Sequence, residues 1–167
     1  MKRSYVIACL ILLLLLAPVA FGTIDQADEV NSPETFIKAT RFLEQKPLDK
    51  DAKELRGQAL RWLIATDKVS VKACSLLLSV DKKYKNSSEL FGQYTFGMGA
   101  YKLANPDKAQ DEDVVQLAGV ESALTAYEAI VAAQPKAKSS FMDELLAKRR
   151  DGSLAAYVKE NNCKESK

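Results

Sequence analysis

From residue 32 onward, apolar side chains recur at steps of three and four, and no apolar–polar alternation of period two persists over a strand's length. This pattern predicts an all-α chain. Ser32-Pro33-Glu34 reads as a cap, a proline at the first helical position and an acid in the first turn, followed by Phe36, Ile37, Ala39, Thr40 and Leu43, with Lys46-Pro47 as the stop. Asp49 or Asp51 caps a second helix whose apolar face is Leu55, Ala59, Trp62 and Leu63, with Leu60 and Ile64 alongside. Val71, Cys74, Leu77 and Leu78 predict a short buried helix within Val69–Val80. A fourth helix spans about Ser88 to Ala104, and a fifth Asp111 to Ala133, with Leu117, Val120, Leu124, Tyr127 and Val131 as a packing seam. Ser139 or Ser140 opens a sixth helix that Asp151-Gly152 stops, and Ser153 opens a short seventh carrying Leu154, Tyr157 and Val158. The expectation is one domain of six to seven short-to-medium helices packed as antiparallel hairpins, either a bundle or a short array.

The segment before this region has a different pattern. Lys2 and Arg3 precede an apolar run from Tyr5 to Leu16, Pro18 breaks it, and Ala20-Phe21-Gly22 supplies small residues for cleavage. Such a segment predicts a signal peptide over residues 1–22, a mature chain starting near Thr23 and action in the periplasm or outside the cell. The run is too short for a settled membrane span, so no stable span is expected after cleavage. The remaining organisation reads as a flexible segment over 23–31, a helical domain over 32–163 and a polar tail over 164–167.

Charge narrows the partners. The chain has 24 basic and 22 acidic residues, and Lys2 and Arg3 leave with the signal, so the mature chain is neutral. A neutral domain has no global field to attract nucleic acid, and none is expected as a partner. Lys148-Arg149-Arg150 reads as the last turn of a helix, and Asp111-Glu112-Asp113 as a first turn. Asn86-Ser87-Ser88 has the form of a glycosylation sequon, though the serines account for themselves as helix caps.

Histidine is absent, which removes Ser-His-Asp and Cys-His nucleophilic sites, His-ligated metal and haem sites, and any imidazole relay. No glycine-rich phosphate loop is present. The expectation is therefore no cofactor, no metal and no enzymatic activity. Cys9 lies within the signal, leaving Cys74 and Cys163 as an even pair in an oxidising compartment, which predicts a disulfide.

The fourth helix carries three interior glycines, Gly92, Gly97 and Gly99, each costing about 1 kcal/mol against alanine. Two readings offset that cost. A neighbouring helix approaches closely, or the helix lines a groove for a ligand or peptide, with Phe91, Tyr94, Met98, Gly99 and Tyr101 as its binding surface and Glu89 or Glu121 as a converging carboxylate.

Ala123-Leu124-Thr125-Ala126-Tyr127-Glu128 through Gln134-Pro135 resembles the second helix of a tetratricopeptide repeat, and Tyr84 through Ala109 has a similar character. The likeness covers about a third of the chain. Pro106 and Pro135 are 29 residues apart against a family period of about 34, and the Trp-Leu-Gly-Tyr signature is missing. The resemblance therefore implies a helical-hairpin array and assigns no groove residues. In compartment, size and cysteine pair, the chain is also similar to small helical periplasmic proteins such as acid-stress chaperones and type VI immunity proteins. The expected function is a non-enzymatic secreted or periplasmic protein that binds a protein or peptide, as scaffold, chaperone or inhibitor. The alternative is a small-ligand binder or enzyme using the helix around residues 91–101.

Overall fold

A computed structural model describes residues 29–74, 76–80, 84–161 and 163. The signal peptide predicted over 1–22 and the tail over 164–167 lie outside the described residues. The described chain is a single all-α domain of six packed helices. They are α1 (Pro33–Gln45), α2 (Ala52–Ala65), α3 (Ser87–Ala104), α4 (Glu112–Ala133), α5 (Ser140–Asp151) and α6 (Leu154–Asn161).

Most helix ends follow from local chemistry. The Ser32 hydroxyl accepts the Thr35 N–H at 3.2 Å, and the Thr35 hydroxyl accepts the Ser32 N–H at 3.0 Å, a reciprocal cap. Asp111 caps α4 through Val114 N–H at 3.3 Å, and Ser139 caps α5 through Met142 N–H at 3.4 Å. Gly152 ends α5 at φ +80°, a left-handed conformation that favours glycine. The charge runs serve the helices as expected. Lys102 and Lys159 pair with Glu112 and Asp113 at 3.0 and 2.8 Å, and Arg149 pairs with Glu128 at 2.6 Å.

α3 divides the interior. One side joins α4, α5 and α6 around Leu90, Tyr94, Met98, Tyr127, Met142 and Val158. The other presents Phe96 and Ala100 to α1 and α2, where Phe36 stacks on Trp62 at 4.7 Å and meets Phe96 edge-on at 6.0 Å. A helix buried on two sides needs no single apolar stripe, which explains the mixed pattern of α3. α4 is apolar enough by length and composition to cross a membrane, with a mean hydropathy of 1.2 over its best window, but it is a central packing element here.

Three expectations are corrected. Val69–Val80 is not an α-helix: residues 69–74 are irregular and only Leu76–Ser79 makes a 3-10 turn. The backbone there bonds outward instead, with Tyr94 OH accepting Cys74 N–H at 3.3 Å and Gln116 Nε2 donating to Lys72 O at 2.7 Å. The supposedly flexible start reaches the fold at its end, since Val30 is buried and its N–H donates to Gln58 Oε1 at 3.2 Å. Leu60 and Ile64 point away from the core, with Ile64 76% exposed, because α1 and α3 cover only the Leu55–Ala59 side of α2.

Cys74 and Cys163 form a disulfide with Cα atoms 4.7 Å apart. It ties the residue just past α6 to the irregular segment before α3, rather than joining two helices.

Candidate functional site

The glycine helix is packed. A methyl at Gly97 would overlap Ser122 Cβ and lie 2.8 Å from Ser122 Oγ and 3.2 Å from Gly119 Cα, so Gly97 and Gly119 mark the α3–α4 crossing. A methyl at Gly99 would lie 3.0 Å from Phe36 and 3.3 Å from Leu63. The close-approach reading therefore accounts for both glycines. Of the proposed binding surface, Tyr94, Met98 and Gly99 are buried, while Phe91 and Tyr101 are half-buried against the core. These five side chains form no continuous accessible face, because α1 and α4 occupy the two sides of α3.

Next to Tyr101 a cleft of about 210 Å³ remains, bordered by Arg41, Glu44, Gly97, Glu121 and Ser122. Its charged groups are already paired. Arg41 Nη1 donates to both oxygens of Glu44 at 2.9 and 3.0 Å, and Ser122 Oγ donates to Glu44 Oε1 at 2.6 Å. Gln93 Nε2 donates to Ser122 Oγ at 2.9 Å and to Thr40 O at 3.1 Å. Glu121 faces Arg149 at 3.6 Å, and Glu89 faces Arg56 at 3.9 Å, so the two carboxylates expected to converge lie in separate ion pairs. A site below the usual size of ligand pockets, with its charges already paired, is a structural network first.

A larger concavity, of about 880 Å³, lies where the α4–α5 loop meets the segment entering α3. Pro135 stops α4 after Gln134, and the loop turns through Ala137 N–H to Gln134 O at 2.8 Å. Two tyrosines hold the loop. Tyr84 OH donates to Ala137 O at 3.0 Å. Tyr127 OH accepts Ser139 N–H at 2.9 Å and donates to Asp143 Oδ1 at 2.8 Å. Burial raises the pKa of both hydroxyls, that of Tyr127 to about 12, so each remains a proton-bearing donor at neutral pH.

The walls are Tyr84 and Phe141, both half-buried, with Lys85, Lys136 and Lys138 exposed around them. Among the described residues no carboxylate lines the cleft, and none of these lysines forms an ion pair. Asn86, the next residue after Lys85, is buried, and its Nδ2 is the buried side-chain atom without a hydrogen-bond partner among the described residues. That burial also closes the sequon to a glycan in the folded protein. No three His, Cys, Asp or Glu side chains converge to hold a metal ion among the described residues.

Sequence reasoning read Tyr84 and Lys85 as part of a charged connector, Gln134-Pro135 as the stop of one helix and Ser139 or Ser140 as the cap of the next. They come together only because α3 and α4 cross, which brings residue 84 to residue 137. The local hint was two lysine-bearing loops, each next to an aromatic residue. No protein-family model, curated protein or solved structure matches the chain.

Proposed function

We propose that the protein is a non-enzymatic binding protein that works outside the cytosol and engages a protein or peptide partner through the α4–α5 cleft. The observation that carries this reading is the contrast between this cleft and the smaller one beside Tyr101. The charged groups of the small cleft are paired, whereas the large cleft offers a preset loop, two aromatic faces and three lysines without acidic partners among the described residues. Unpaired charge beside apolar surface on a rigid frame suits recognition, because little ordering cost falls on the protein when the partner binds. The extracytosolic part rests on the signal-like pattern of residues 1–22 and on a disulfide of the kind that persists in oxidising compartments.

The test is a photo-crosslinking amino acid placed at exposed Ser140, on the cleft, or at exposed Glu160, on α6, in cells that make the protein. A discrete adduct from position 140 and none from position 160 is the expected result. Absence of any adduct at position 140, with the protein folded and disulfide-bonded, overturns the reading.

A further inference from the structure

We infer that the occupant of the α4–α5 cleft is an acidic peptide segment of a partner protein, its carboxylates paired with Lys85, Lys136 and Lys138 and an apolar side chain set against Tyr84 and Phe141. This rests on the binding reading above and adds the chemistry of what is bound.

The argument is charge complementarity on a defined frame. Elsewhere on the surface some cations are matched, Arg56 with Glu89, Arg61 with Glu54, Lys102 with Glu112, Arg149 with Glu128 and Lys159 with Asp113, while Lys38, Lys46, Lys53, Lys72, Lys108 and Arg150 have no ion pair among the described residues but do not line this cleft. Around the cleft, three lysines of one sign cluster without such partners among the described residues. Two carboxylates lie close enough to act on Tyr84, and both are engaged: Asp143 accepts from Tyr127 OH, and Glu89 faces Arg56. Among the described residues the three lysines outnumber the one of these carboxylates left without a cation, Asp143, so the cleft presents net positive charge, and the amino end of α5 adds to it, since Ser139, Ser140 and Phe141 form part of the wall.

The shape selects a peptide over other polyanions. The concavity of about 880 Å³ is the size of a pocket for a few residues, not a track along a nucleic-acid backbone. The expected neutrality of the mature chain removes the long-range field on which non-specific nucleic-acid binding depends. Half-buried Tyr84 and Phe141 give an apolar side chain a place between the lysine contacts, which a free phosphate or acetate ion would not use. The loop between the lysines is fixed at Ala137 and Ser139 before anything binds, so its positions are preset.

The experiment is fluorescence anisotropy with the disulfide-intact mature protein and a short fluorescein-labelled peptide of alternating glutamate and leucine. The expected result is saturable binding that weakens as salt rises, and that falls about tenfold or more when Lys85→Gln, Lys136→Gln and Lys138→Gln are combined. All three lysines are exposed, so the variant keeps its fold, which circular dichroism checks. The paired change Lys68→Gln with Lys72→Gln, on two exposed lysines away from this cleft, should leave binding unchanged. Equal binding of a glutamine–leucine peptide, an unaffected triple variant, or tighter binding of single-stranded DNA or anionic vesicles through the same lysines would each overturn the acidic-peptide inference. A crosslinked partner at position 140 alongside failure of the glutamate peptide overturns this inference alone. Failure of both overturns the binding reading as well.

Discussion

Replacing Gly92, Gly97 and Gly99 one at a time by alanine should separate three outcomes within a single helix. At Gly92 the added methyl meets only the Phe96 ring, at 3.8 and 3.9 Å, which is ordinary contact. That variant gains helix propensity and should be stabilised by about 0.5–1 kcal/mol. At Gly97 the same gain is opposed by overlap with Ser122 and by Gly119 Cα at 3.2 Å. Ser122 cannot rotate freely, because its hydroxyl donates to Glu44 at 2.6 Å and accepts from Gln93 at 2.9 Å. Relief comes from parting α3 and α4, at about 1–3 kcal/mol for overpacking, or from losing a buried hydrogen bond to a carboxylate, at about 1.5–3 kcal/mol. After the propensity gain, Gly97→Ala should be destabilised by about 1–2 kcal/mol, leaving it about 1.5–3 kcal/mol below Gly92→Ala. Gly99→Ala falls between, since Phe36 and Leu63 are side chains that can yield. Urea unfolding followed by far-ultraviolet circular dichroism measures the series, with an unchanged denaturant slope showing that stability alone has moved. Combining Gly97→Ala with Ser122→Gly removes the overlapping atom, so the pair should cost less than the sum of its parts. Equal stability of the Gly97 and Gly92 variants, or strict additivity with Ser122→Gly, would refute a close helix crossing at this point.

The disulfide closes a loop between residues 89 apart, so Cys163→Ser should cost up to about 4–5 kcal/mol, read as a fall in urea midpoint that dithiothreitol reproduces in the native chain and not in the variant. Burial raises the Tyr127 hydroxyl to about 12 from the ordinary value near ~10, so its contribution is intact below pH 10 and lost as pH climbs towards 12. Alkaline titration of stability should show that loss, and Tyr127→Phe should reduce it, leaving the smaller part due to Tyr84. Ile64 is exposed and unpacked, so Ile64→Ser should shift stability by no more than about 0.5 kcal/mol in the same urea assay. Mass spectrometry of the protein recovered outside the cytosol should place its first residue at or near Thr23, and an intact Met1-to-Gly22 segment there would refute cleavage.

What the sequence reveals and what it conceals differ in range. Helix ends were readable because their causes lie within four residues: Ser32 and Thr35, Asp111 and Val114, Ser139 and Met142, Gly152 after α5. The cysteine pair was readable from compartment and number, although neither its partner elements nor the 4.7 Å approach was. The failure at Val69–Val80 is of another kind. Its apolar spacing suits a helix, but two of its backbone groups, Cys74 N–H and Lys72 O, are bonded to Tyr94 and Gln116, side chains 20 or more residues away. A period cannot register hydrogen bonds offered by distant side chains. Those two residues are the reason this stretch needs no helix: Tyr94 OH accepts from Cys74 N–H and donates to Gln116 Oε1, while Gln116 Nε2 reaches Lys72 O.

The same limit explains why the glycine helix stands out in the sequence and the α4–α5 cleft does not. Gly97, Gly99, Tyr94 and Tyr101 are conspicuous in sequence because glycines and aromatics in a helix demand a cause, and that cause is packing: Ser122 and Gly119 on one side, Phe36 and Leu63 on the other. Tyr84 and the three lysines are inconspicuous because each is ordinary in a connector. Their meaning is topological. The glycine crossing fixes α3 against α4, the crossing brings residue 84 to the far end of α4, and Tyr84 then holds Ala137 while Tyr127 holds Ser139. The residues that looked like a binding surface thus set the geometry of the cleft without entering it. A change at Gly97 that parts α3 from α4 should therefore reach the cleft through the Tyr84–Ala137 bond, weakening acidic-peptide binding even though no lining residue is altered.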